Sequence, residues 1–113
     1  MVTGQILVDG TKYDQEKSRM DLLAPDVLEG LASILTYGAT KYEPRNWEKG
    51  MHWGRVYAAA FRHLLAFWNG EDLDSESGLP HIDHALCCIM FLSAYHKRRI
   101  GIDDRSQLSN FKG

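Results

Sequence analysis

The chain has 113 residues, of which 44% are hydrophobic and 25% charged, a composition typical of a globular protein. Its formal net charge of -2 excludes a protein that binds nucleic acid through bulk positive charge. No apolar run approaches a membrane span, no N-terminal segment resembles a signal peptide, and the two cysteines are adjacent, so we expect a cytoplasmic protein in a reducing compartment. The length predicts a single domain, residues 1–113, that oligomerisation would help to stabilise.

The chain divides into an N-terminal arm, a helical core and a tail. Residues 1–24 show no helical period and are predicted to form an extended arm, in which residues 5–8 could pair as a short strand. Residues 25–99 form the predicted helical core, and the polar residues 100–113 form a loosely held tail. The expected fold is therefore all-α: a small oligomeric bundle of three main helices with an extended arm.

The apolar periodicity predicts the three helices and their buried faces. The first begins at Pro25, ends before Pro44 and buries Val27, Leu28, Leu31, Ile34 and Leu35. The second covers residues 55–68, and its large apolar groups are Tyr57, Phe61, Leu64, Leu65 and Trp68. The third covers residues 79–99 with Ser77 as its N-cap, and it packs through Ile82, Leu86, Ile89, Met90 and Leu92.

An acidic loop lies between the second and third helices. It holds four carboxylates within six residues, namely Glu71, Asp72, Asp74 and Glu76. Neighbouring carboxylates repel one another, so a fold that holds them together usually supplies a cation. Oxygen ligands of this kind favour Mg²⁺ or Mn²⁺, either of which can also bind the phosphates of a substrate.

Histidines flank the same loop. His81 and His84 are three residues apart and share one face of the third helix, and an antiparallel second helix can bring His63 to that side. With loop carboxylates they would also suit a transition metal. Alternatively, the histidines only hydrogen-bond the acidic loop and hold it in place. Cys88 is interpreted as a core residue. The predicted metal ligands are His63, Asp72, Asp74, His81 and His84.

A basic and aromatic set is the third constellation. Cations can bind phosphates, the Asn46 amide can read a base edge, and the Trp47 indole can stack on a base. The alternative for Trp47 and for Trp53 is a plug that covers the core. The residues in this set are Lys12, Arg19, Lys41, Tyr42, Arg45, Asn46 and Trp47.

An ordered series of motifs resembles the small phage and prophage family of dATP/dGTP diphosphohydrolases of the N-terminal-domain type. The motifs are residues 12–14 with 19–25, residues 37–42 with Asn46-Trp47, Arg62-His63-Leu64, and residues 70–72 with 77–85. The resemblance implies a deoxynucleoside triphosphate pyrophosphohydrolase that acts in a phage nucleotide pool. The predicted catalytic residues are Glu71, Asp72 and Asp74. The predicted substrate-binding residues are Lys12, Arg19, Lys41, Tyr42, Asn46, Trp47 and Arg62.

Two functional hypotheses follow from these patterns. In the first, loop carboxylates and histidines bind a divalent metal and direct water onto a purine deoxynucleoside triphosphate. In the second, the same pocket sequesters a nucleotide or a nucleotide immune signal without chemistry, because the chain has neither a Glu-Glu pair nor an adjacent His-Asp dipeptide, the signatures of two familiar phosphohydrolase types. Both hypotheses predict a nucleotide ligand and a homo-oligomer, with no membrane and no bulk nucleic acid as partner.

Overall fold

The computed structural model describes residues 10–106 and contains three α-helices in that range. They are α1 (Pro25–Lys41), α2 (Trp53–Trp68) and α3 (His81–Arg98), and two short 3-10 helices, Met20–Leu22 and Asn46–Lys49, precede α1 and α2. Between residues 10 and 106 the only β-pairing consists of isolated bridges. The all-α prediction is confirmed. The strand predicted at residues 5–8 and the last seven tail residues lie outside the described range.

The boundaries of α1 follow from its sequence, whereas α3 begins differently from the prediction. Pro25 occupies the first turn of α1, where its missing N–H costs no hydrogen bond. The N-cap of α3 is Pro80, so the prediction of Ser77 as N-cap is wrong. An antiparallel bridge between Leu73 and Pro80 holds the loop backbone outside the helix, and the Ser77 hydroxyl contacts His84 instead.

The core lies between α2 and α3, which run antiparallel. His63 near the end of α2 meets His81 at the start of α3, and Trp53 at the start of α2 meets His96 near the end of α3. Helix α1 packs against α3. The core consists of buried Trp53, Val56 and Tyr95, with Trp47, Met51, Cys88, Phe91, Leu92 and Ile100 packed around them.

The large apolar residues of α2 do not form its packing face. The residues of α2 that are buried are Trp53, Val56 and Ala60. Small side chains such as Ala60, and Ala85 on α3, let two helix backbones approach closely. The opposite face of α2 is exposed because α1 packs on α3 and leaves that face uncovered. The exposed apolar residues of this face, here called the outer α2 face, are Tyr57, Phe61, Leu64, Leu65 and Trp68.

The buried stripes predicted for α1 and α3 are correct only in part. Ile34 is buried in α1, but Val27 and Leu28 near its start are exposed. In α3, Ile82 and Ile89 are exposed, and the buried apolar positions are Ala85, Cys87 and Tyr95. One helical neighbour covers only one side of a helix, so part of each apolar stripe stays in contact with solvent.

The first residues of the tail are held firmly, which corrects the prediction of a loose tail for residues 100–104. The backbone of Ile102 pairs with Met51 and Trp53 on either side of His52. The Trp53 indole N–H donates to the Ile100 carbonyl over 2.9 Å, and the Asp104 carboxylate accepts from the Gly54 N–H over 2.7 Å. Asp104 thus supplies the cap that α2 lacks in its own sequence, since His52 makes no side-chain capping bond.

None of the helices between residues 10 and 106 is long and apolar enough to cross a bilayer.

Candidate functional site

The acidic loop between α2 and α3 folds around Asp74. Gly70, with φ of 92°, ends α2, and the chain then turns back on itself. The Asp74 carboxylate accepts a 2.9 Å hydrogen bond from the Ser77 N–H, and the Asp74 carbonyl accepts from Gly78 over 2.7 Å. The Asp74 N–H donates to the Leu79 carbonyl. The loop backbone therefore fixes this carboxylate beside the histidines of the neighbouring helices.

Three histidines converge next to Asp74. His63 Nδ1 lies 2.8 Å from His81 Nδ1, and the His63 ring stacks on the His84 ring with centroids 4.5 Å apart. His81 is only 5% exposed, and its Nε2 hydrogen-bonds the Glu71 carboxylate. The Nε2 of His84 is 2.7 Å from Ser77 Oγ and 3.9 Å from Asp74 Oδ2. The predicted convergence of His63 with the two histidines of α3 is confirmed.

The electrostatics of this cluster favour neutral His63 and His84 and an ionised Asp74. Burial lowers the pKa of His63, and the neighbouring charges of His84 and His81 lower it further. Burial also lowers the pKa of His84, against the opposing effect of Asp74. Desolvation would raise the pKa of Asp74, but its hydrogen bonds to Ser77 and the nearby histidines outweigh that effect, and the pKa is lowered. Neutral imidazoles and a carboxylate are the protonation states that bind a cation.

The positions of the donor atoms fit a metal ion. One ligand atom each from His63, Asp74 and His81 lie within 4.8 Å of one another. Two imidazole nitrogens and one carboxylate oxygen form a donor set that transition ions accept, whereas Mg²⁺ prefers oxygen ligands throughout. Glu71, on the far side of His81, can fix the ring tautomer by accepting a hydrogen bond from Nε2–H, which leaves Nδ1 facing the cluster.

A cavity of about 620 Å³ extends from this cluster along α2 towards the end of α1. Its size suits a small organic ligand, since such pockets commonly measure roughly 300–1,000 Å³. Three of the histidine-cluster residues line one end, namely His63, Asp74 and His84. The same cavity is lined by five of the seven residues predicted to bind substrate: Lys41, Tyr42, Asn46, Trp47 and Arg62.

Other predicted site residues lie outside the cavity. Lys12 and Arg19 are exposed in the segment before α1, and Arg19 forms an ion pair with Asp21. Neither lines the cavity. Asp72 is exposed and contributes its backbone carbonyl, which accepts from the His81 N–H, while its carboxylate is not part of the histidine cluster. Glu71 contacts the cluster only through His81.

Trp47 belongs both to the core and to the cavity wall. Its indole stacks on Phe91 with centroids 4.7 Å apart, and the Arg98 guanidinium carbon lies 5.4 Å from its centroid. The Tyr95 hydroxyl donates to the Trp47 carbonyl over 2.6 Å. These contacts agree with the alternative of a core plug, and Trp53 is a buried core residue outright. Stacking of Trp47 on a base stays a prediction.

Several residues of the cavity were not predicted as site residues. The Glu76 carboxylate accepts from the Tyr37 hydroxyl over 2.9 Å and from Lys41 Nζ over 2.6 Å, which joins the end of α1 to the acidic loop. A sequence signal exists for Tyr37, because it precedes Lys41 by one helical turn. Arg55 also lines the cavity, and the signal for it is its spacing of seven residues from Arg62 on one helix.

Neither cysteine has the character of a nucleophile. Cys87 is buried, and desolvation raises the pKa of its thiol to about 12. Burial also raises the pKa of Cys88, which packs against the core as predicted. Both thiols are free and protonated at neutral pH, and a protonated thiol is a poor nucleophile and metal ligand.

Comparison with known proteins places the chain in a family. Residues 8–105 match the family described as dATP/dGTP diphosphohydrolase, N-terminal. A dATP/dGTP diphosphohydrolase of Salmonella phage PMBT28 is 36% identical over 96 residues, which cover 85% of this chain and 33% of that protein. The chain thus spans about a third of the length of this relative. No solved structure matches it significantly. By its sequence and over most of its length, the chain belongs to the dATP/dGTP diphosphohydrolase N-terminal family.

Proposed function

We propose that the chain binds purine deoxynucleoside triphosphates and hydrolyses them in a metal-dependent reaction, in the nucleotide pool of a phage-infected cell. The observation that carries this proposal is the shared cavity, in which His63, Asp74 and His84 and several basic and aromatic side chains face one volume of about 620 Å³. The family membership and the name of the phage relative support the same substrate class.

The metal would be held by His63, Asp74 and His81, with His84 beside them. Because two of the three donors are imidazoles, we propose Mn²⁺ or another transition ion ahead of Mg²⁺. A bound divalent ion would supply charge neutralisation for the phosphates and a more acidic water molecule. Glu71 would act as a positioning residue, because its carboxylate orients the His81 ring.

The remaining cavity residues would bind and orient the nucleotide. Lys41 and Arg62 offer cations for phosphate oxygens, and Asn46 offers an amide for the purine edge. Hydrolysis would add water at the α-phosphorus and break its bond to the bridging oxygen, which leaves a nucleoside monophosphate and pyrophosphate. In this arrangement the base lies near the Asn46–Lys49 turn, and the triphosphate runs from there along α2 towards the acidic loop.

The direct test is incubation of the full chain with each of the four common deoxynucleoside triphosphates, with Mn²⁺ or with Mg²⁺, and separation of the products by chromatography. We expect monophosphate and pyrophosphate from dATP and dGTP, and less from the pyrimidines. A matched reaction with the His63→Ala variant should show no turnover. Intact triphosphates in every wild-type reaction, with either metal, would contradict hydrolysis by this chain.

The second candidate function is sequestration of the nucleotide without chemistry. A specific observation favours it: the cluster is satisfied by its own hydrogen bonds, His63 to His81, His81 to Glu71 and His84 to Ser77. No buried polar side-chain atom among residues 10–106 lacks a partner, so the cluster can hold the loop as a structural unit. Retention of intact nucleotide at one equivalent per chain, without turnover, would support this function.

We also propose that the chain assembles as a homo-oligomer through the outer α2 face. Three aromatic residues on this face are exposed, and Trp68 alone is 83% exposed. Exposed apolar patches of this kind commonly mark interaction sites, and the stripe carries no charge that would repel a second copy. Light scattering at micromolar concentration should give a mass above that of one chain for the wild type.

The Trp68→Glu variant should shift that mass towards the monomer. The matched control is Tyr42→Glu, which places the same charge on an exposed aromatic residue away from this face. A monomeric wild type would contradict the proposal, as would a Trp68→Glu protein with an unchanged oligomeric mass.

A further inference from the structure

We infer that Arg55 binds the polyphosphate of the ligand together with Arg62, and that these two guanidinium groups form a track along α2. The inference rests on the proposed nucleotide function and extends it to a residue outside the set predicted from sequence. Both side chains line the cavity that His63, Asp74 and His84 also line. Both are solvent-exposed, so an incoming anion can reach them.

The basic side chains of the cavity differ in whether they already have an acidic partner. Lysine and arginine contribute four such side chains to its wall, and two of these are paired. Lys41 contacts Glu76 over 2.6 Å, and Arg45 contacts Glu48 over 2.8 Å. Within residues 10–106, the recorded ion pairs and side-chain hydrogen bonds of arginine involve Arg19, Arg45, Arg98 and Arg105, and none of them involves the side chain of Arg55 or Arg62. Their charge is therefore available to an external anion.

The spacing of the two arginines along α2 suits an extended anion. Arg55 and Arg62 are seven residues apart in α2, so they lie on one face of the helix. Seven residues correspond to a rise of roughly 10.5 Å at about 1.5 Å per residue. When both side chains are extended, an anion that touches both has to be a chain of several phosphates. Arg62 precedes His63, so one end of that chain lies at the histidine–aspartate cluster.

The guanidinium N–H donors of arginine are well suited to phosphate oxygens. A guanidinium presents parallel N–H donors that match two phosphate oxygens, and it keeps its charge at every physiological pH. Arginine also binds the edge of guanine through two parallel hydrogen bonds. The spacing of the two arginines and their unpaired state favour phosphate over base for Arg55. The number of phosphates on the ligand therefore distinguishes the two roles.

The test compares Arg55→Gln with Arg45→Gln in the full chain, by calorimetric titration with dGTP, dGMP and inorganic triphosphate. The conditions are Mg²⁺-free and Mn²⁺-free, so that binding is measured without turnover. Arg45→Gln is the matched control, because it removes the same charge from the same cavity where an internal partner is present. Circular dichroism should show that both variants keep the helical content of the wild type.

We expect Arg55→Gln to weaken dGTP and inorganic triphosphate binding by about 10- to 100-fold, the usual effect of losing a charged hydrogen bond. Binding of dGMP should change by less than about threefold, because one phosphate does not span both guanidiniums. Arg45→Gln should have the smaller effect on all three ligands. The loss for dGTP should also shrink at high salt, as expected for a charge contact.

Three results would overturn the inference in distinguishable ways. Equal losses of affinity for dGTP and dGMP would assign Arg55 to the nucleoside monophosphate part that both ligands share, and the proposed function would stand. Unchanged dGTP affinity in Arg55→Gln would remove the residue from the site, again without affecting the proposed function. A wild type that binds none of the three ligands, with or without metal, would overturn the proposed function and this inference with it.

Discussion

Gly101 marks the point at which the tail crosses the start of α2, and replacing it should be unusually destabilising. Its φ is 80°, and a Cβ placed on it would lie 2.5 Å from the Met51 carbonyl oxygen and 3.0 Å from Trp53 Nε1. The first of these atoms belongs to the backbone and cannot rotate away. Gly70 offers a matched control, because its φ is 92° and nothing lies within 4 Å of its added Cβ.

The two alanine variants therefore separate backbone strain from crowding. A non-glycine residue in the left-handed region costs about 1–2 kcal/mol, and this cost applies to both positions. Crowding at a packed site adds about 1–3 kcal/mol, and this cost applies only to Gly101. We expect Gly101→Ala to lower the free energy of unfolding by about 2–5 kcal/mol and Gly70→Ala by about 1–2 kcal/mol.

Urea denaturation followed by circular dichroism measures both variants under identical conditions. The difference between them is more informative than either value, because the strain cost largely cancels. An equal loss of unfolding free energy in Gly101→Ala and Gly70→Ala would show that residue 101 is not in close contact with Met51. It would also contradict the firm docking of the tail.

Three further predictions concern the metal cluster, its protonation and the cap of α2. His81→Ala should abolish Mn²⁺ binding in calorimetry, whereas Asp72→Ala should retain it; the reverse result would restore Asp72 as a ligand. The pKa values of His63 and His84 are lower in the folded chain than in the unfolded chain. As the pH falls, the unfolded chain therefore binds protons at a higher pH than the folded chain does, and the free energy of unfolding should decrease below about pH 6.5. Urea titrations at pH 7.5 and 5.5 should show this fall, and substituting both residues by Gln should reduce it. Asp104→Ala should lower the free energy of unfolding by about 1 kcal/mol, because the Gly54 N–H loses its cap. An unchanged free energy of unfolding in urea denaturation would contradict the docking of the tail on α2.

The sequence predicted the helices better than it predicted their faces. Periodicity and the Pro25, Pro44 and Gly70 signals place all three helices within a few residues. Periodicity alone, however, reports that α2 has an apolar stripe and cannot report whether a neighbour covers it. The core instead uses Val56 and Ala60, because close approach of two helices selects small and medium side chains.

The candidate site was predictable where helix geometry decided it. The spacing of His81 and His84, with an antiparallel α2, was sufficient to bring His63 to them. The loop carboxylates were harder, since their direction depends on backbone hydrogen bonds that no periodicity describes. Asp74 lies beside the histidines because the Ser77 N–H donates to its carboxylate, whereas Asp72 contributes its backbone carbonyl to the His81 N–H. Arg55 was missed because its significance depends on which carboxylates the folded chain leaves unused.

The contacts between the start of α2 and the end of α3 also have a consequence for folding kinetics. Four hydrogen bonds that involve a side chain join residues 47–54 to residues 95–104, and they span 47, 48, 50 and 50 positions of the chain. A hairpin of two helices normally folds fast because its contacts are local, but these contacts all wait for the closure of one long loop. Once that loop closes, the four bonds form together. We therefore expect their amide and indole protons to exchange with solvent as one cooperative unit, at a rate set by a single opening event.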